Sequence, residues 1–323
     1  MAFELPETKT IVEVPRRIGL IDADCVAYWA AAGCDDMTRD AAFRRLEGRM
    51  EVIMDQIETT NVRSFLTGKD NFRNDIATYQ QYKGNRYDKN GNRIRPQPKW
   101  LPEVRDRILE TPEYKPTLCD GQEADDALAI AQMKCRATKT WHSIISSIDK
   151  DLRICPGLHH DMTSGIIEDI TDLGYLALDK KGKVRGGGLK FFYAQLLMGD
   201  TADWIKGLPK VTPWMKNTFE DIKRLGGCGA KAAYHVIKDA ESEEECLNRV
   251  LDCYESYWDG DHFYVNWLTG ETIYPTPEEM VLENGRLLWM RRKENQMWDI
   301  PVDVLAYRKE ANAKSQNTED QTR

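Results

Sequence analysis

Seven carboxylates of this 323-residue chain fall in three short clusters: Glu123, Asp125 and Asp126; Asp149 and Asp151; Asp200 and Asp203. Two of the clusters stand where an apolar run meets a polar turn. Like charges held that close repel, and they cannot all stay ionised unless something neutralises them. Hard divalent cations prefer carboxylate oxygen and are the simplest neutraliser. Two such ions about 4 Å apart stabilise both the attacking and the leaving oxygen of an in-line phosphoryl displacement. No protein nucleophile is then required, since water serves. The spacing points to two-metal phosphodiester chemistry.

A positive counterpart lies earlier in the chain. Lys83 and Arg86 stand at the root of a basic segment, where either could reach a scissile phosphate and offset charge that grows in the transition state. Tyr82 and Tyr87 flank them; they either stack on an exposed base, as in single-strand binders, or pack at the end of the preceding segment. Residues 225–233, Leu-Gly-Gly-Cys-Gly-Ala-Lys-Ala-Ala, have the form of a hairpin between helices. Gly227 and Gly229 would let the backbone approach a phosphate, and the next helix N-terminus offers free N–H groups. Lys231 adds a charge there. The hairpin suits a sequence-independent grip on duplex.

Such residues need elements to place them. Residues 18–22 are an apolar run ending in Asp22, and 25–32 read as helix. Residues 39–57 carry apolar side chains near the 3.6 period of an amphipathic helix. Val62–Thr67 and 115–119 read as strands. Residues 122–137 read as a strong helix with its acids in the first turn, where the helix dipole favours them. Residues 142–148 are again a strand. Strands separated by helices imply a mostly parallel α/β sheet covered on both faces. In such a sheet, ligands bind beyond the carboxyl ends of the strands, where Asp22 and Asp149 both arrive, with Asp24 and Asp151 two residues on. Residues 83–102 break the pattern with Gly84, Gly91, Pro96, Pro98 and Pro102 among six cations, and read as a long mobile loop or arch. Loops of that length inside a compact domain are usually functional or disordered. Helices are expected over 189–198, 230–238, 242–257 and 277–293. The polar stretch 309–323 is expected to fray.

The net charge of −8 by itself argues against nucleic acid, but its distribution matters more. Residues 63–107 hold eleven Lys/Arg against five Asp/Glu, a local excess of six positive charges. That suits a polyanion in a groove and equally suits a solvated polar loop. The eight cysteines include no C-x-x-C pair, so neither a disulfide framework nor a zinc site is expected. Cys155 with His159 and His160, around Pro156-Gly157, reads as an ordinary loop. No run of about 18 apolar residues is present to span a membrane, and residues 1–15 lack a signal-peptide layout. A cytoplasmic protein is expected.

Taken together, several motifs resemble the 5′-nuclease family: Ile21-Asp-Ala-Asp24, Asn71-Phe-Arg73, Tyr82-Lys-Gly-Asn-Arg86, Glu123-Ala-Asp-Asp126, Ser147-Ile-Asp-Lys-Asp-Leu152, Gly199-Asp-Thr-Ala-Asp-Trp204 and the 227–231 hairpin, in that order. The family includes flap endonucleases, the 5′-nuclease domains of bacterial DNA polymerases and the 5′→3′ exonucleases of bacteriophages, and the chain most resembles the last. The match runs over about residues 17–240. The resemblance implies a PIN-like catalytic core over 17–200 with a helical arch near 83–105. A helix–hairpin–helix region and helical extension would fill 201–300, with a flexible tail over 309–323. It implies Mg²⁺-dependent hydrolysis, with Mn²⁺ able to substitute and two ions per site, of DNA with a 5′ end or flap. A place in phage DNA replication or degradation, inside an infected bacterial cell, follows from it. Asp22, Glu123, Asp125, Asp126, Asp149, Asp151, Asp200 and Asp203 would be the metal ligands. Lys83 and Arg86, with Asp22, would act in catalysis. Arg73, Tyr82, Lys83, Arg86, Gly227, Gly229 and Lys231 would contact DNA.

Two features depart from the family pattern. A metal-binding Asp is usual shortly before Asn-Phe-Arg; here Gly68 stands there, so either Asp70 substitutes or the site has one ligand fewer. Residues 208–225 also intervene before the hairpin. Two alternatives therefore stand beside the nuclease: a DNA-binding protein of the same fold with weakened catalysis, and an RNase H-like activity on RNA–DNA hybrids.

Overall fold

A computed structural model of the chain describes residues 16–310 apart from 140, 259 and 309. In chain order the elements are β1 (Arg16–Asp22), α1 (Ala23–Ala31), α2 (Arg39–Gln56), β2 (Val62–Thr67), α3 (Phe72–Ile76), α4 (Leu101–Leu109), β3 (Thr117–Cys119), α5 (Ala124–Thr138) and β4 (Trp141–Ser147). They continue with β5 (Gly157–Asp161), β6 (Ile167–Ile170), β7 (Tyr175–Leu178), β8 (Val184–Gly187), α6 (Gly188–Met198), β9 (Gly199–Asp200) and β10 (Ile205–Lys206). The last are α7 (Pro213–Thr218), α8 (Ala230–Ile237), α9 (Glu243–Glu255), β11 (Tyr264–Val265), β12 (Thr272–Ile273) and α10 (Pro277–Leu288).

Six strands form the central sheet in the order β3-β2-β1-β4-β5-β6, parallel throughout except for β6, which runs antiparallel to β5. On one side α1, α2 and α4 pack as an apolar layer, with Val26, Ala27, Leu46, Met50, Val104 and Ile108 fully or nearly fully buried. On the other, α5 lays Leu128 and Ala129 against Leu20, Phe65 and Ile145. Short side chains on α1 let it approach the sheet closely, which brings its first turn, and Asp22 before it, over the strand ends. The start of α2 is fixed by Thr38, whose hydroxyl accepts the Ala41 N–H. That of α10 is fixed by a reciprocal cap between Thr276 and Glu279.

Several expectations change here. His159 and His160 lie in strand β5 (Gly157–Asp161) rather than in an ordinary loop. His160 bonds Ser146 Oγ at 2.7 Å and Gln56 Oε1 at 3.0 Å, and His159 bonds the Cys155 carbonyl, so both rings are satisfied inside the fold. The segment expected as a helical arch contains one helical turn, Gly84–Arg86, and a hairpin in which Tyr87 pairs with Arg93. Gly91, Pro96 and Pro98 bar helix until Leu101. The boundary expected at 200 falls inside a shared core, because α6 packs against α8, α9 and α10 through Phe192, Leu196, Val236 and Leu251. Residues 208–225 form α7 and a further turn that bury Val211, Met215 and Ile222. Trp258, Trp289 and Trp298 are core, as expected, whereas Trp267 is 39% exposed. Of the expected tail, residues 309 and 311–323 lie outside the described residues, as does the segment 1–15. Among the described residues no helix is long and apolar enough to cross a membrane.

Candidate active site

The carboxyl ends of β1, β2 and β4 meet the first turn of α5. Thr67 Oγ1 at the end of β2 accepts the Ala124 N–H at 3.0 Å, which ties the start of α5 to the sheet. Ser147 at the end of β4 donates to Asp22 Oδ2 at 2.6 Å and accepts the Asp149 N–H at 2.9 Å. Asp22 also caps α1 by accepting the Cys25 N–H. These bonds bring Asp22, Asp125 and Asp149 to the floor of one open cavity of about 1180 Å³. Its walls carry Lys83, Arg86, Arg93, Arg95 and Arg105. An acidic floor thus faces a basic wall supplied by the 83–105 segment.

Among the described residues no cation forms an ion pair with any of the floor trio, and Lys83 acts on Asp125 only weakly against burial and three carboxylates. Burial, then Asp149, Asp22 and Glu123, hold the Asp125 carboxyl well above the usual range. Burial also raises Asp22, against the bonds from Cys25 and Ser147 that lower it. The other acids have cations of their own. Glu123 accepts from Tyr82 Oη at 2.9 Å and from Lys83 Nζ; burial would raise it, but Lys83 and Arg73 bring it below the ordinary value. Asp203 accepts from Tyr82 Oη at 2.8 Å and from Arg86 at 3.2 Å, with Lys83 Nζ at 3.5 Å. Its carboxyl is nevertheless raised, by burial first. Lys83 is held above its usual value by Glu123 and Asp203 against the opposing effect of burial. Asp151 and Asp200 share Lys150 Nζ, at 2.7 and 2.6 Å.

Hard carboxylate oxygens around an open cavity, three of them crowding one another, have the chemistry of a divalent-cation site. Asp22, Asp125 and Asp149 are the residues that fit it. As they stand, no three of the His, Cys, Asp or Glu groups among the described residues converge closely enough to clasp an ion, so coordination needs side-chain rotation.

No protein-family model matches the sequence, and no curated protein does. Among solved structures, bacteriophage T5 5′-exonuclease with divalent metal ions (zinc) bound is similar at a TM-score of 0.52 and 17% identity, over 84% of this chain and 89% of that one. The T5 D15 protein co-crystallised with metal ions gives 0.52 and 16%, over the same shares of the two chains. This is a 5′-nuclease fold.

Within the 5′-nuclease fold, the eight expected ligands divide by setting. Asp22, Asp125 and Asp149 line the cavity with Glu123, whereas Asp151, Asp200 and Asp203 stand behind it. Asp126 is withdrawn altogether: fully buried, it takes a bidentate pair from Arg73 at 2.6 and 3.0 Å and the Arg291 N–H at 3.1 Å. Arg73 is itself fully buried and donates to the Leu287 and Trp289 carbonyls, so it has no face for DNA. It fastens α5 to the end of α10. Tyr82 is 5% exposed and spends its hydroxyl on Glu123 and Asp203, which leaves no ring face for a base. Tyr87, at 38%, keeps one. Gly227, Gly229 and Lys231 are exposed at the start of α8, and a Cβ on Gly229 would meet nothing within 4 Å.

The gap at Gly68 has a local cause. A side chain there would overlap the Asp120 carboxylate, whose Oδ1 accepts the Lys69 N–H at 2.8 Å. Asp70 is exposed and off the cavity wall. An acid at the end of β2 is Asp24, which accepts the Thr67 N–H at 2.8 Å and pairs with Arg105. Sequence reasoning placed Asp24 beside Asp22 but gave it no role. It missed Arg105, 81 residues away, which no spacing could reveal. It also missed Gln195, whose signal was visible: a lone amide in the apolar run of α6, fully buried beside Asp151.

Proposed function

We propose that this protein is a metal-dependent 5′ nuclease that hydrolyses phosphodiester bonds of DNA at a 5′ end or flap, with two divalent ions, Mg²⁺ or Mn²⁺. The observation that carries the reading is the crowded trio Asp22, Asp125 and Asp149 facing a basic wall across one cavity. The fold likeness to the T5 enzyme supports the nuclease reading; a role in phage DNA replication or degradation is part of the proposal.

The ions would supply Lewis acidity and an activated water beside the scissile phosphate. The chain's own residues do the rest. Lys83 is held at φ +54° by a bond from its N–H to the Asp203 carbonyl, and its ammonium lies over the floor against Glu123. It is placed to meet charge growing on a phosphate oxygen. Arg86, Arg93, Arg95 and Arg105 line the path a strand would take along the wall. Lys231 and the exposed glycines at α8 offer the duplex its phosphate contacts.

The test is release of mononucleotides or short oligonucleotides from a 5′-labelled DNA duplex and a 5′-flap substrate, with Mg²⁺ and with chelator. Metal-dependent release is expected. No release with any divalent ion would leave a DNA-binding protein of this fold, and preference for an RNA–DNA hybrid would redirect the substrate.

A further inference from the structure

Asp151 and Asp200 are separated by 49 positions, yet they form one receptor. Asp200 ends the short strand β9, where its Oδ1 accepts the Ala202 N–H at 2.7 Å. Asp151 opens a helical turn and hands its N–H to Asp149 Oδ1 at 2.8 Å. Behind them the buried amide of Gln195 donates to Asp151 Oδ1 at 2.6 Å and reaches Asp200 Oδ2 at 3.3 Å. From the open side, Lys150 Nζ donates to those same two oxygens. Its side chain is 44% exposed, whereas those of Asp151 and Asp200 are 10% and 3%. One wall of the receptor is thus fixed and the other is a flexible cation on the surface.

We propose that Lys150 is a displaceable internal counter-ion: it occupies the Asp151–Asp200 oxygens that a divalent ion would need, and so sets the affinity of the second metal. The inference rests on the nuclease reading. An ammonium and a divalent ion held against the same two oxygens repel each other at close range, so binding of the ion is favoured by departure of the ammonium. The fixed Gln195 contact keeps the pair pre-formed through the exchange. A place for the released ammonium exists alongside: Lys150 lines a cavity of about 240 Å³ with Ser147, Asp149, Arg153, Arg185 and Phe191, and Nζ already stands 5.9 Å from the Phe191 ring centroid. No cation donates to the floor trio in this way, since Lys83 is bonded to Glu123 instead, which makes the two ion positions unequal. Lys150 is a positioning residue in this scheme, acting through the two carboxylates.

The experiment is Mn²⁺ binding to the full chain without DNA, followed by the electron paramagnetic resonance of free Mn²⁺, for wild type, Lys150→Met and Lys150→Arg. Wild type should show a tighter and a weaker class of ion. Lys150→Met should tighten the weaker class by about tenfold, the order expected for removing a charged competitor, and leave the tighter one alone. Lys150→Arg, which keeps a cation, should stay near wild type. An unchanged or weakened second class in Lys150→Met, with the tighter class intact, overturns the inference alone. Absence of any bound Mn²⁺ in all three proteins overturns the inference and the nuclease reading together.

Discussion

Asp125 and Asp126 are neighbours in the first turn of α5, exposed to the same helix dipole, and they end in opposite settings. Asp126 turns into the seam with the end of α10, where Arg73 matches it in a fork and the Arg291 N–H adds a third bond. Asp125 turns into the cavity, where its near charges are Asp149, Asp22 and Glu123. One acid has a cation forked onto it; the other feels Lys83 only behind burial and three carboxylates. The same division runs through the wider site. Lys83 serves Glu123 and Asp203, Lys150 serves Asp151 and Asp200, and Arg105 serves Asp24. Matched acids hold elements together. The unmatched trio is where the fold keeps a demand for charge from outside.

The division is broken most directly at its unmatched member. Asp125→Asn should lower Mg²⁺-dependent cleavage by about 10⁴-fold, as expected when a metal ligand of the chemical step is lost. Duplex binding in chelator should change little. A variant that cleaves at near wild-type rates removes Asp125 from the ligands. On the matched side, Arg73→Met should destabilise the protein by about 3–5 kcal/mol, because it leaves a buried carboxylate without its partner. Urea denaturation measures this. A loss under about 1 kcal/mol would mean that the Leu287 and Trp289 carbonyls, not Asp126, are what Arg73 serves.

This contrast also explains what the sequence made legible. The four parallel strands β1 to β4 and helices α1, α2 and α5 were readable because apolar periodicity and helix-start signals are local, whereas α3 and α4 were not read. The convergence of Asp22 and Asp149 followed from strand ends in a parallel sheet. What sorted the acids was not local. Arg73 and Asp126 are 53 positions apart, and Arg105 and Asp24 are 81 apart, so motif spacing could not tell a ligand from an ion-pair partner. Arg73, a DNA contact only by the family resemblance, belongs with them: its partner Asp126 becomes visible once the chain folds around it. Strand β5 was hidden by Pro156-Gly157, which carry turn chemistry at the very start of a strand.

Lys83 stands between the two regions, and replacing it sharpens where one ends. Lys83→Ala should lower the single-turnover cleavage rate by about 10²-fold, the size expected for one electrostatic contact to a transition state, with a smaller change in DNA affinity. It should also release Glu123 and Asp203 from their shared cation. An unchanged single-turnover rate would place Lys83 wholly among the matched pairs.

The smallest effect separates the regions by pH. Asp125 has its pKa raised by folding, so the native state binds a proton that the unfolded state has lost. Stability from that difference is present at low pH, where both states are protonated, and is lost as pH rises through the raised value. Asp125→Asn never ionises there and avoids the loss. In chelator its melting temperature should match wild type below about pH 4, where the carboxyl is protonated in both states, and exceed it by roughly 2 °C near pH 8. Mg²⁺ should shrink the difference by stabilising the charged trio of wild type. Calorimetry across that range decides it: parallel curves with and without Mg²⁺ would mean that Asp125 already has a cation of its own, and the contrast with Asp126 would collapse.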